Sequence, residues 1–231
     1  MRLRLFRLMI LSAALCMGLG LAANVDVQPC LMKPAHLEMR LHNRGLTWLP
    51  GEDFDGTCDE VPVKKWARSP AGAGDLFVHA DGPSGSGRFW NVTIGVAGRH
   101  ESKPARGVCF KTSTIGWRTL QQYKKTPLPW LDDLDKKGKA ELIVWESFAL
   151  QEDASMAEYG LVAWVYRLTP EGSFVIDWSL SRQMAREIAD AYRAPLDSKD
   201  LVLGPLRAQA AQALEQFADE RCIVRSVTSG R

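Results

Sequence analysis

The sequence predicts an α+β domain, a mainly antiparallel β-sheet followed by two C-terminal helices. Three observations predict it. Between Asp75 and Trp178 apolar residues alternate, or run in short blocks bounded by Gly, Pro and Asp, which is the pattern of paired strands. Beyond Trp178 the apolar spacing lengthens to three or four residues, the period of a helix face. Strands followed by helices, rather than the two in alternation, belong to the α+β class.

The chain opens on a leader. Arg2, Arg4 and Arg7 precede a nearly unbroken apolar stretch from Leu8 to Leu21, and Gly20 and Ala22 place small residues at −3 and −1 of a cleavage point. Residues 1–22 read as a secretory signal peptide cleaved near Ala22 or Ala23. The apolar run is about 14 residues, short of the roughly 20 that a bilayer span needs. Ala13, Ala14 and Leu15 precede Cys16 in the wrong order for a lipid attachment box. The expectation is a single exported domain over 23–231, periplasmic or secreted, with no membrane span after cleavage and enough chain to bury its own core.

Charge and cysteine usage agree with export. The sequence has 29 Lys and Arg against 27 Asp and Glu, and the leader takes three arginines and no acid. The mature chain is therefore near neutral, and nucleic-acid binding loses its electrostatic footing. Setting aside Cys16 leaves Cys30, Cys58, Cys109 and Cys222. An even number in an oxidising compartment predicts two disulfides. No CxxC pair is present, which argues against structural zinc. Three pairings are open. Neighbourhood in the chain favours Cys30–Cys58, which leaves Cys109–Cys222 to tie the last helix to the sheet.

The elements follow in order. Residues 24–73 are punctuated by Pro29, Pro34, Pro50, Pro62 and Pro70 and read as irregular. The sheet region spans 74–178. "DLFVHA" is a short strand, "DGPSGSG" turns the chain, and "RFWNVTIGV" alternates Trp90, Val92, Ile94 and Val96 against Asn91 and Thr93. The two make a hairpin with a half-buried second strand. "ELIVWESFAL" and "GLVAWVYRL" are nearly continuous apolar runs, expected of central strands covered on both faces. "TPEG" is a turn with Pro170 at its second position, and "SFVIDW" pairs back. The helices occupy 179–222. Leu180, Met184, Ile188 and Tyr192 form one stripe, with Ser179 or Ser181 as the cap and Pro195 as the stop. Pro205 opens the second helix, whose stripe is Leu206, Ala210, Ala213, Leu214 and Phe217.

Eight tryptophans are spread through the mature chain. Trp90, Trp145, Trp164 and Trp178 lie in predicted strands and read as core. Trp48, Trp117 and Trp130 border loops and are the candidates for a ligand platform, since an exposed ring can stack on a sugar or a peptide. The sequon at Asn91 lies inside a predicted strand and is expected to be unmodified. Catalytic patterns are scarce. The histidines are His36, His42, His79 and His100, and no H-E-x-x-H, G-x-S-x-G or phosphate-binding glycine loop occurs. His79 and Asp81 share one side of a strand, the arrangement of an ordinary strand-end pair.

The segment from Trp130 to Trp145, "WLDDLDKKGKAELIVW", carries the one pattern with chemistry in it. Counting Asp133 as position 1 of a calcium loop puts Asp135 at 3, Lys137 at 5, Gly138 at the sharp turn and Glu141 at 9. Calcium takes six to eight oxygens, and a lysine ammonium stands where a third acid belongs. Three readings are open. The loop is a polar turn before a buried strand; or Lys137 Nζ replaces the ion between Asp133 and Asp135; or Asp133, Asp135 and Glu141 hold calcium weakly. "DLDKKGKAELIV" resembles the D-x-D-G-D-G-x-x-D-L-x-V loop of FG-GAP/VCBS repeats, the calcium-looped blades of integrin-type β-propellers. Asp53, Asp55, Gly56 and Asp59, within residues 51–63, form a second and poorer echo. The resemblance implies a blade-like β-sheet, calcium as a structural ion, and a role in binding rather than catalysis. Two copies about 80 residues apart are too few for a complete propeller. The sequence as a whole points to an exported envelope protein with a non-catalytic binding or structural role toward a protein or glycan partner. The alternative is an envelope hydrolase whose site is assembled from residues distant in sequence.

Overall fold

The computed structural model describes residues 27–34, 39–42, 45–48, 67–71, 74–84, 89–97, 107–113, 120, 128–155, 158–195 and 203–224. Residues 1–22, read as a leader, and Cys58, Trp66, Trp117, His36, His100 and the echo at 51–63 lie outside the described residues. Strands β1 (Met39–His42) and β2 (Gly45–Trp48) pair antiparallel. Strands β3 (Ala67–Ala71), β4 (Gly74–Ser84), β5 (Phe89–Ala97) and β6 (Gly107–Ser113) form an antiparallel meander in that order. Strands β7 (Leu131–Asp132), β8 (Glu141–Ala149), β9 (Tyr159–Leu168) and β10 (Phe174–Ile176) form a second. Helices α1 (Trp178–Arg193) and α2 (Leu203–Ala218) close the chain. The α+β class holds.

Two edge strands escape the sequence pattern. The region expected to be irregular contains β1, β2 and β3. Pro70 is tolerated in β3 because that strand is an edge, where one row of N–H groups has no ladder to feed. At the opposite edge β6 carries Gly107, Lys111 and Ser113 among few apolar residues, so its alternation is faint.

The core sits between the layers. One apolar cluster joins Leu76, Val78, Val92 and Ile94 of the first meander to Ile143, Trp145 and Val165 of the second, and to Met184, Ile188, Leu214 and Phe217 of the helices. Leu142 to Trp145 and Leu161 to Val165 are at most 1 % exposed, as expected for strands covered on both sides. Thr112 of β6 donates its hydroxyl proton to the Trp145 carbonyl, and the Ala140 N–H reaches Ser69 Oγ of β3 at 3.2 Å. These two bonds tie β8 and the residue before it to both edges of the first meander. Trp164 meets Trp178 and Phe217 edge-on, with ring centroids 6.3 and 5.3 Å away.

Helix α1 also completes a sheet edge. Strand β10 pairs only with Tyr166–Leu168 of β9, which leaves the earlier part of β9 without a strand on that side. The helix supplies side-chain partners there. The Leu161 N–H donates to the Tyr192 hydroxyl at 2.9 Å, and the Val165 N–H to Ser181 Oγ at 3.0 Å. Covering an edge in this way satisfies backbone groups that burial would otherwise orphan. Ser181 is thus engaged with the sheet. The cap expected of Ser179 or Ser181 is Asp177, whose Oδ1 accepts from the Leu180 N–H at 2.9 Å. The helix therefore begins at Trp178, inside the stretch read as strand.

The helices are antiparallel neighbours. Arg182 pairs with Glu220 at 2.7 Å, Arg186 with Asp219 at 3.4 Å, and Arg193 with Glu215. Buried Arg207 donates to the Ala191 and Ala194 carbonyls at 2.9 and 2.8 Å, which satisfies the last turn of α1. Beyond α2 the chain returns to its own start. Cys222 is disulfide-bonded to Cys30 across 192 positions of sequence. The Cys30 N–H donates to the Ile223 carbonyl, and the Ile223 N–H to the Gln28 carbonyl. The expected Cys30–Cys58 and Cys109–Cys222 pairings are corrected: the N-terminal segment runs beside the end of α2, with Met32 buried in the core. Cys109 lies on β6 opposite Thr93. Among the described residues no helix is long and apolar enough to cross a membrane.

Candidate functional site

The loop between β7 and β8 is built from its own acids. Asp133 accepts from the Lys137 N–H at Oδ1 and from the Gly138 N–H at Oδ2, both at 2.9 Å. Asp135 Oδ1 accepts from the same Lys137 N–H at 3.1 Å. Short acids bind nearby backbone in this way because their oxygens reach a few residues along the chain. The chain reverses through Lys136 at φ 60° and Gly138 at φ 79°. Glycine takes that left-handed conformation freely, whereas lysine holds it at a cost the Asp133 bonds offset. Glu141, the first residue of β8, closes the loop by accepting from the Leu134 N–H at 2.9 Å. Carboxylate oxygens of Asp133, Asp135 and Glu141 all lie within 4.8 Å of one another.

Two cations sit against this cluster. Lys137 Nζ is 3.0 Å from Asp135 Oδ2, and Arg167 Nη2 is 2.8 Å from the same oxygen. Arg167 comes from the end of β9. Leu142 pairs with Tyr166, so the next position outward sets Arg167 across from Glu141, with Nε 3.7 Å from Oε1. Its Nε also lies 2.9 Å from Asp177 Oδ2. One guanidinium thus joins the loop, the start of β8 and the cap of α1. Hydrogen bonding from the Lys137 side chain holds the Asp135 carboxyl below its ordinary value, while burial pushes that of Glu141 up.

The cluster gathers three carboxylates as a calcium site does, and the same oxygens also carry other partners. The ion takes six to eight oxygens, from carboxylates, carbonyls and water. Asp133 has both oxygens on backbone amides, and the outward oxygen of Asp135 faces an ammonium and a guanidinium. Of the three readings of this loop, internal counter-charge is the nearest to the geometry, but Lys137 Nζ meets Asp135 and not Asp133, and Arg167 shares the part assigned to it. Nothing in the calcium-loop spacing reveals Arg167 or Asp177. The available signal is a single cation at the end of the apolar run "GLVAWVYRL".

The remaining candidates are scattered. Trp130 is only 7 % exposed. It directly precedes β7, and its carbonyl accepts from the Ile143 N–H at 2.9 Å, so the residue is fixed against β8 and is no ligand platform. Trp48 lies on β2 opposite Met39. Trp145 and Trp164 are core as expected, but Trp178 opens α1 and is 39 % exposed. His79 is half-buried on β4 opposite Thr93, and Asp81 lies opposite Asn91. His42 pairs with Gly45 at the β1–β2 turn. Searches of known protein families, characterised proteins and solved structures found no match to this chain.

Proposed function

We propose that the mature chain is an exported domain of the cell envelope whose role is non-catalytic, binding or holding a protein or glycan partner. The observation that supports this most is the commitment of the acid cluster. A general acid or base has to exchange a proton with substrate. Here Asp133 and Asp135 hold the turn together and Glu141 holds the Leu134 N–H, so a substrate would have to open the loop to reach them. Binding needs surface instead, and the chain exposes Val175 and Trp178 where β10 passes into α1. The resemblance to FG-GAP loops, which implies binding, points the same way.

The test combines fractionation with crosslinking in intact cells. The chain should leave the cytoplasm, and a photoreactive side chain placed at Val175 or Trp178 should form one discrete envelope adduct. His79→Ala and Asp81→Asn should leave that adduct unchanged. Retention in the cytoplasm would defeat the export reading. A catalytic activity of the purified protein that His79→Ala abolishes would replace the binding reading with the envelope hydrolase.

A further inference from the structure

The loop between β7 and β8 separates its charges by depth. Its acids turn inward: the side chain of Asp135 is 14 % exposed and that of Glu141 is 5 % exposed. Its lysines turn outward. Lys136, Lys137 and Lys139 are all exposed, on three of four successive positions, and the side chain of Lys137 is 72 % exposed. Among the described residues neither Lys136 nor Lys139 has an ion-pair partner. A segment of balanced composition therefore presents an outermost layer of positive charge.

We infer that this loop tip is a docking point for an anionic bilayer surface. The shape favours that partner. The three lysines are exposed together on one tight turn, through Lys136 at φ 60° and Gly138 at φ 79°, which suits an extended array of charge. Lysine is a hydrated point charge without the planar fork that reads one carboxylate or phosphate bidentately. Among the described residues no exposed ring borders the tip to stack a sugar, since Trp130 is buried. Leu131 and Leu134 are half-buried against the core, so the tip offers no apolar centre of the kind a protein interface carries. Each lysine near an anionic leaflet contributes about a fivefold gain in partitioning. The inference rests on the exported location proposed above and not on the partner proposed there.

Vesicle flotation of the mature domain tests it. Lys136→Asn keeps a residue tolerant of the left-handed conformation, and Lys139→Gln removes the second charge. Lys137 is left in place because it serves Asp135. The parent should float with vesicles containing phosphatidylglycerol and not with phosphatidylcholine alone. Binding should vanish in about 1 M salt, where the Debye length is about 3 Å. The double variant should bind about 25-fold more weakly with an unchanged melting temperature, and Lys136→Arg with Lys139→Arg should bind as the parent does. Equal flotation with neutral vesicles, or full binding by the Asn and Gln variant, overturns the inference. Capture on soluble polyglutamate without flotation overturns it as well and assigns the tip to an acidic polypeptide. Failure of export would show in cell fractionation and leaves the vesicle result standing by itself.

Discussion

Removing two hydroxyls tests whether α1 completes the sheet. Tyr192→Phe keeps the ring and its packing but takes the acceptor from the Leu161 N–H; Ser181→Ala does the same to the Val165 N–H. Leu161, Val165 and Ser181 are fully buried and Tyr192 is 2 % exposed, so water cannot replace the lost partner. A buried donor left unpaired costs about 1–3 kcal/mol. For a chain of this size each kcal/mol moves the melting temperature by about 2–4 °C, so each variant should melt about 2–12 °C lower. Ser179→Ala, at an exposed position on the same helix, should stay within about 0.5 kcal/mol of the parent. Urea unfolding followed by tryptophan fluorescence measures the free energies. Amide exchange of Leu161 and Val165 supplies the local readout, because only an edge role predicts faster exchange at those two amides. If both hydroxyl deletions unfold within 0.5 kcal/mol of the parent, β9 finds its partners elsewhere and the edge account is wrong.

Two further outcomes follow from the covalent tie and from the loop charges. Replacing Cys30 and Cys222 together by serine opens a loop of 192 positions, which costs about 5 kcal/mol if the gain is chain entropy; near-native stability of that variant, or a peptide map joining Cys30 to Cys58, would refute the assignment. The pH dependences of Glu141→Gln and Asp135→Asn should run in opposite directions. The folded value of Glu141 lies above its ordinary 4.5, so the parent loses stability relative to Glu141→Gln as pH rises through that range. The folded value of Asp135 lies below its ordinary 3.8, so its contribution is present above 3.8 and is lost as pH falls through the folded value. Melting curves from acid to neutral pH that shift both variants the same way would sink this account.

The parts legible in the sequence are those where burial is two-sided or periodic. Strands β8 and β9 announce themselves as apolar runs, and the α1 stripe of Leu180, Met184, Ile188 and Tyr192 is buried as its spacing demands. Boundaries fail where one residue serves two patterns. Trp178 continues the strand alternation of "SFVIDW" yet begins a helix, because Asp177 caps the Leu180 N–H there. The disulfide was hidden because closeness along the chain says nothing about which termini meet; a segment near residue 30 and the end of α2 became neighbours only through the fold. Trp130 borders a loop and is still buried, since β7 pairs with β8 directly after it. The acids of the loop were visible as a spacing, but the cation that meets them enters from β9, and no local motif encodes a cross-strand pair.

That cation bears on why a lysine can stand at position 137. A loop that gathers Asp133, Asp135 and Glu141 within 4.8 Å creates repulsion that some positive charge has to relieve. A dissolved ion would relieve it only while its concentration exceeds its Kd, and stability would then follow that concentration. Arg167 and Lys137 are covalently attached, so their relief is independent of solute and ends only where Asp135 takes up a proton. Arg167 is also held by Asp177, which makes the loop charge and the α1 cap parts of one arrangement. With Asp133 already bonded to two amides, the turn keeps its shape without an ion. An ammonium at position 137 is then compatible with the acids rather than opposed to them, and Lys136 and Lys139, which the acids do not use, are left to face the outside.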